Sequence, residues 1–406
     1  MYHEGDNMMG VKRTNRSAVL SILHQQGGLS RKRLAESIRL TPAAITKIVG
    51  ELLEERLLLE GHTLTGGGAG RKEVLLQLNP RAYCALGLFI NLSQAMISAV
   101  WLDGTVIFSQ ELELESGVPA NKLTERLAAK LTELIALHSI PRQQILGLGV
   151  AIRGITSEDG MRVKNSFGVF EDENYPLAQR LSKLTGFQVV MANNVRALFA
   201  AQMFMAREKD LTSQFFLRCE YGIGASLSIQ DKIWCGSSQQ CAEIGHIPVV
   251  RRGGKPCSCG KCGCLETIAS PSAILEDALA ALSPETTPIL WAVSLKKGRE
   301  KLALEDVLEA ARNSDAGAAA IVDRAVEALS SALKAVIYIL DPGKIVLYGR
   351  MFENSYYLAR LLSDLGEGVD AGHTVPVEKS QYNQLLEDKA AGLLMVEHFF
   401  TNGGMK

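Results

Sequence analysis

Nowhere in its 406 residues does the chain carry the roughly 20 consecutive apolar residues that span a bilayer, which argues against membrane insertion. Its first residues, Met1-Tyr2-His3-Glu4-Gly5-Asp6, have neither the basic start nor the apolar stretch of a secretory leader, so a cytoplasmic location is expected. An excess of either charge is missing too: the formal net charge is -1, so the molecule as a whole is no polycation for nucleic acid. The eight cysteines do not read as the disulfide framework of a small secreted domain, because the chain is long and four of them crowd into one segment. What is present is ordinary for a soluble globular protein, 47% hydrophobic and 21% charged residues, in a chain too long for one core. Two or three domains are expected.

The small basic excess lies N-terminally, with 11 Lys/Arg against 8 Asp/Glu in residues 1–80. From Asn15 to His24 the apolar residues Ala18, Val19, Ile22 and Leu23 recur at helical spacing until Gly27-Gly28 interrupts them. Ser30 can cap a second helix through Leu34, Ala35 and Ile38. Thr41-Pro42 starts a third, the hydroxyl accepting an orphan N–H while proline fills the first position without losing a bond. Ile45, Ile48, Val49, Leu52 and Leu53 form its buried stripe, which leaves Thr41, Ala43, Ala44, Thr46 and Lys47 exposed near its start. Small residues there allow close approach to base edges, methyl groups meeting thymine and lysine meeting guanine. Leu57-Leu58-Leu59 and Val74–Leu78 flank a Gly66–Gly70 tip followed by Arg71 and Lys72, the pattern of a wing whose cations contact phosphate or the minor groove. Residues 1–80 are expected to be a winged helix-turn-helix on double-stranded DNA, the competing reading being a protein–protein module. Gly50, inside helix three at a cost of roughly 1 kcal/mol relative to alanine, points to a close backbone approach.

Past Asn79-Pro80 the pattern changes to strand-like runs, Cys84–Ile90, Ala95–Trp101 and Thr105–Phe108, the start of a meander. A helical stretch, Lys122–His138, leads to Ile145–Ile152, a fully apolar run typical of a buried strand in an α/β sheet. A second sheet is expected from Phe215–Leu217, Ala225–Ile229 and Lys344–Tyr348, with a long helix over Ala316–Ile339 before the last of these. The body therefore reads as bilobal α/β, divided as residues 81–195 and 196–406, with a loop or short helices at Thr286–Arg299, where Pro288 interrupts any period.

Cys257, Cys259, Cys262 and Cys264 place four thiols in eight residues, and His246 lies eleven residues upstream. Thiolates this close repel unless a cation neutralises them, and zinc prefers sulfur and nitrogen donors. A structural zinc takes four ligands from these five candidates, and spacing alone leaves the choice open. The bound ion would contribute on the order of 10 kcal/mol of local folding free energy to an otherwise irregular loop.

Glu243-Ile-Gly-His246, followed by Cys257-x-Cys259-Gly-x-x-Gly263-Cys264-Leu-Glu266, resembles the signature of the ROK family of bacterial repressors and sugar kinases. Thr41-Pro-Ala-Ala-Ile-Thr-Lys is similar to the recognition helix of its NagC/Mlc/XylR-type repressors, and Asp341-Pro-x-x-Ile345-Val-Leu-x-Gly349 to a strand of its kinase lobe. The resemblance implies an actin-like ATPase/sugar-kinase fold behind the winged helix, with His246, Cys257, Cys259 and Cys264 as zinc ligands and Cys262 spare. It also implies a sugar site of Asn193, Asn194, Glu243, His246 and Glu266, and a homodimer or dimer of dimers.

The departures bear on activity. Family kinases carry Asp-x-Gly-x-Thr in the first strand, where this chain reads Gly87-Leu-Phe89-Ile-Asn91-Leu-Ser93 and neither the acid nor the glycine survives. Asn194 stands where the catalytic aspartate would take the sugar proton, and an amide cannot. Glu220 in Glu220-Tyr221-Gly222-Ile-Gly224 puts a carboxylate against the second phosphate loop. No enzyme activity is expected. Arg153, before Gly154, replaces a proline and suggests contact with an acidic or phosphorylated sugar. The expectation is a repressor of carbohydrate genes released by a sugar or sugar phosphate, the alternatives being control by a partner such as a sugar transporter, or an active kinase.

Overall fold

The computed structural model describes residues 8–64, 73–115, 117–206, 213–230, 232–367, 374–381 and 386–406. They group into two compact units, Met1–Lys209 with Leu385–Lys406, and Asp210–Gln384.

The first unit opens with α1 (Met8–Gln26), the short strand β1 (Leu29–Ser30), α2 (Arg31–Ile38) and α3 (Pro42–Glu54), then β2 (Leu58–Leu64) and β3 (Glu73–Leu78), the three strands ordered β1-β3-β2. Ser30 Oγ accepts from Arg33 N at 3.4 Å, and Arg39, left-handed at φ 58°, ends α2 with its N–H on Ala35 O, so the turn into α3 takes three residues. Val19, Leu20 and Leu23 of α1, Leu34 of α2 and Ile45, Val49 and Leu52 of α3 are buried, the 3.6-residue stripe of a helix-turn-helix core. A Cβ at Gly50 would meet nothing within 4 Å, so within the chain no close approach demands this glycine. The expected wing is present as the β2–β3 pair, while its tip, with Arg71 and Lys72, lies outside the described residues.

Behind this head stands a five-stranded sheet ordered β10-β7-β4-β5-β6, from β4 (Cys84–Ile90), β5 (Gln94–Trp101), β6 (Val106–Glu113), β7 (Ile145–Ile152) and β10 (Val189–Asn193). Antiparallel β4-β5-β6 is the expected meander, and β7 runs parallel between β4 and β10. Every residue of β4 and β7 is buried because both faces of the sheet are covered. Alternate residues Leu86, Leu88 and Ile90 pack with α4 (Ala120–Leu137) and α5 (Leu177–Thr185). Against the other face lie α6 (Asn194–Ala206) and the C-terminal helix Glu387–Thr401, so close that a Cβ on Gly149 would fall 1.7 Å from Ala391 O. That helix, expected with the second lobe, packs on β4, β5, β7 and α6. A small pair, β8 (Ile155–Thr156) and β9 (Val163–Asn165), completes the unit.

The second unit holds a sheet ordered β13-β12-β11-β14-β15, from β11 (Gln214–Cys219), β12 (Ile223–Ile229), β13 (Lys232–Trp234), β14 (Lys344–Tyr348) and β15 (Val377–Lys379). Its helices are α7 (Glu266–Ala269), α8 (Pro271–Ala280), α9 (Pro288–Lys297), α10 (Leu304–Arg312), α11 (Ala316–Leu340) and α12 (Ser355–Gly366), and the C-terminal helix is α13. Of the loop or short helices expected at Thr286–Arg299, the structure has a short helix, α9, over most of the segment. Pro288 is its first residue, where the missing N–H costs nothing, and the Asp315 carboxylate accepts from Ile289 N and Leu290 N while also capping α11 through Ala318 N. Among the described residues no helix is long and apolar enough to cross a membrane.

Candidate recognition head, metal centre and sugar residues

At the start of α3, Thr41 is extended (φ -68°, ψ 148°) and its Oγ1 accepts from Ala44 N at 3.3 Å, the expected N-cap. Thr41, Ala43, Thr46 and Lys47 are exposed and Ala44 is half-buried, so the five share the solvent side of the helix start. Thr46 Oγ1 donates to Pro42 O at 2.8 Å.

The other end of α3 is held by a residue the sequence reading passed over. Arg16 of α1 is 1% exposed, the largest fully buried side chain described. Its Nη1 donates to Glu51 Oε2 at 3.2 Å and Glu55 Oε1 at 2.9 Å, its Nη2 to Glu55 Oε2, and its Nε to Gly403 O at 2.7 Å, just beyond α13. One guanidinium thus ties α3 to the C-terminal turn of the same unit. Lys12 adds an ion pair to Glu51 at 2.9 Å. Its only local signal was a charged residue on a helix face that otherwise looked apolar.

In the second unit, His246, Cys257, Cys259 and Cys264 bring one donor atom each to within 4.8 Å of one another, a set able to hold a metal ion. Cys257 Sγ lies 3.4 Å from His246 Nδ1 and Cys259 Sγ 3.6 Å from Cys264 Sγ. Cys262 is exposed and outside the cluster. Backbone bonds set the loop: Cys257 N to Lys261 O, Gly263 N to Lys255 O, and both Val249 N and Val250 N to Gly263 O. Gly263 is left-handed (φ 73°) and a Cβ there would fall 2.2 Å from Val250 O, so the return of the loop needs glycine.

The five expected sugar residues are divided between the units. Asn193 and Asn194 sit in the first, where β10 runs into α6. Asn193 Nδ2 donates to Gly154 O at 2.8 Å, and its Oδ1 accepts from Val195 N and Arg196 N, so this side chain caps α6. Asn194 is 4% exposed and its Nδ2 donates to Asn91 Oδ1 at 3.0 Å, an amide pair between residues 103 positions apart. Glu243, His246 and Glu266 sit half-buried in the second unit. Glu243 precedes the single turn Ile244–His246, and its carbonyl accepts from His246 N at 3.1 Å. Glu266 opens α7 with Oε2 accepting from Ile223 N at 3.0 Å, which makes it partly a structural brace and leaves Oε1 for other donors. Glu220, at the second phosphate-loop position, accepts from Arg350 N at 2.9 Å.

Residues 94–392 match the family model described as ROK. Among curated proteins the chain is 26% identical over 402 residues to the DNA-binding transcriptional repressor Mlc of Escherichia coli K12, covering 97% of this chain and 95% of that one. It is 28% identical over 238 residues to a glucokinase of Halalkalibacterium halodurans, covering 57% of this chain and 71% of the glucokinase. Among solved structures, a ROK family transcriptional regulator described as a homologue of E. coli Mlc superposes with a TM-score of 0.79 at 23% identity, covering 97% of this chain and 98% of that one.

Proposed function

The chain belongs to the ROK family, and on that footing we propose that it is a DNA-binding transcriptional regulator, most simply a repressor of carbohydrate genes, whose sugar-kinase-like body senses a sugar or sugar phosphate without phosphorylating it. The observation that carries this reading is the pairing of a capped, small-residue recognition helix with an amide at Asn194, buried against Asn91 where phosphoryl transfer needs a carboxylate. The similarity to Mlc along nearly the whole of both chains supports it. The likeness to a glucokinase covers 57% of this chain and supports a sugar-kinase descent for part of it.

Zinc is the proposed metal. With bonds of about 2.3 Å to sulfur and about 2.0–2.1 Å to nitrogen, a tetrahedral zinc has edges of roughly 3.8 Å between sulfurs and roughly 3.5 Å between sulfur and nitrogen. The observed separations of 3.6 and 3.4 Å match that donor set. The ion would hold the His246–Cys264 loop in place. His246 would bind it through Nδ1, and Glu243, His246 Nε2 and Glu266 Oε1 would meet sugar hydroxyls as acceptors and donors. Asn193, Asn194 and, for an acidic sugar, Arg153 complete the proposed sugar residues. Thr41, Ala43, Ala44, Thr46 and Lys47 would face base edges, and Arg71 and Lys72 phosphate. We place the protein in the cytoplasm as a homodimer.

Fluorescence anisotropy of the purified protein on DNA from upstream of its own gene and neighbouring sugar genes, with and without a sugar and sugar-phosphate panel, tests the reading. Tight binding released by one sugar is expected, with no ATP-dependent phosphorylation of that sugar. A second reading, control by a protein partner such as a sugar transporter, is favoured by the way Asn193 and Asn194 are engaged with their own chain. Tight DNA binding that no sugar releases, together with no sugar binding in calorimetry, would transfer support to it.

A further inference from the structure

Beside the Arg16 tie a cleft of about 350 Å³ opens among α1, one end of the first sheet and the turn after α13. Phe399, Met395 and Met405 give it an apolar wall, and two cations, Arg13 and Lys406, stand over it, with no carboxylate side chain among the lining residues. Nearby cations are matched differently: Lys12, Arg16 and Arg31 each meet a glutamate, whereas among the described residues neither Arg13 nor Lys406 has an acidic side chain as partner. Lys406 is held by Gln143 O and by the face of the Tyr83 ring, 4.0 Å from its centroid, and since the same residue carries a main-chain carboxylate the lining has one cation in excess.

The polar floor favours an anion as well. His398 Nε2 lies 2.9 Å from Asn402 Nδ2 and 3.3 Å from Gln188 Nε2. An imidazole nitrogen has one lone pair, which one amide N–H can take in good geometry. Each amide retains a second N–H. Basic side chains and amide N–H groups around an apolar wall complement a charged head on a compact apolar group.

We propose that this cleft is an effector site, separate from the sugar residues, for a small organic anion: a carboxylate or phosphate monoester carried on a compact apolar group. Its position gives the ligand a lever. Arg13 lies one turn before Arg16 on α1, and Asn402 precedes the Gly403 whose carbonyl Arg16 holds, so an anion drawing Arg13 and Asn402 together bears on the guanidinium that anchors Glu51 and Glu55 of α3. The effect on DNA rests on the proposed regulatory function, whereas binding itself does not.

The test is calorimetry on the full chain with phenyl phosphate and benzoate as probes and benzyl alcohol as the uncharged control, repeated on the Arg13→Gln/Lys406→Gln variant and on Met405→Trp, which fills the cleft. We expect at least one anion to bind, the alcohol to bind roughly tenfold or more weakly, and each variant to lose roughly tenfold in affinity while unfolding cooperatively as wild type does. The anion should also shift operator affinity in the anisotropy assay, and anion binding to a protein that binds no DNA would uphold the site while removing the regulatory reading. No binding of either anion, binding equal to that of the alcohol, or binding unchanged in both variants overturns the proposal. So does a loss of operator affinity in the double variant with no anion present, since the cations would then be contacts to DNA phosphate.

Discussion

At Cys264, burial first and then the neighbouring Cys259 and Cys257 push the thiol up to about 12, so without a cation these sulfurs resist ionising together. Replacing one ligand of the proposed zinc should therefore remove it: plasma mass spectrometry is expected to find one zinc per chain in the wild type, none in Cys257→Ser, and one in Cys262→Ser, at an exposed position outside the cluster. Equal zinc content in the two variants would refute the ligand assignment. Arg16 makes a second residue-scale case. Truncation to methionine removes four charge-assisted bonds, but Glu51 and Glu55 are 25% and 43% exposed and can rehydrate, so the expected cost in denaturant unfolding is roughly 2–3 kcal/mol, not the sum of its bonds. Lys12 first, and then Arg16, hold the Glu51 carboxyl below the usual carboxylate range. That stabilisation is fully present above the unfolded-state pKa of about 4.3 and lost as the pH falls through the lower folded value. Glu51→Gln should accordingly flatten the low-pH limb of the stability profile, and an unchanged limb would mean the pair contributes nothing.

At the scale of elements, α3 was readable because its signals are local: Thr41 caps and Pro42 starts it within four residues, and the Ile45–Leu52 stripe fixes which side is buried. Lys47 on the opposite side should then contribute base or phosphate contact, and Lys47→Ala is expected to cost roughly 1–3 kcal/mol of operator affinity. If the loss is equal on operator and random DNA, its contact is to phosphate; if there is none, the helix does not enter the groove as proposed. The strands β4 and β7 were equally legible, being apolar at every position, and so were the thiols of the metal loop, crowded into eight residues. Other features depended on partners far along the chain. Pro288 looked like a breaker because Asp315, which receives the first N–H groups of α9, lies 26 residues away from Ile289. The Asn91–Asn194 pair spans 103 residues, and the Arg16–Gly403 bond 387. The place of α13 on the first sheet rests on Gly149 admitting a backbone, which no helical period reveals.

Across the whole molecule, the first unit carries both the recognition head and the C-terminal helix that braces it, while all four metal donors lie in the second. The formal net charge of -1 gives no molecule-wide attraction to DNA, so affinity must come from a few placed contacts and, in the proposed homodimer, from duplication of the head. A homodimer reads two half-sites whose centres lie about 34–36 Å apart, or a multiple of that, because only then do both recognition helices meet the major groove on one face of the duplex. Light scattering should give twice the 44.0 kDa of one chain. Lengthening the spacer of a footprinted operator by about 5 base pairs turns one half-site to the far side and should reduce affinity to that of a single half-site, and lengthening it by about 10 should restore part of what was lost. Affinity indifferent to spacing would mean that each head binds alone, and would remove the dimer from the mechanism while leaving the recognition helix in place.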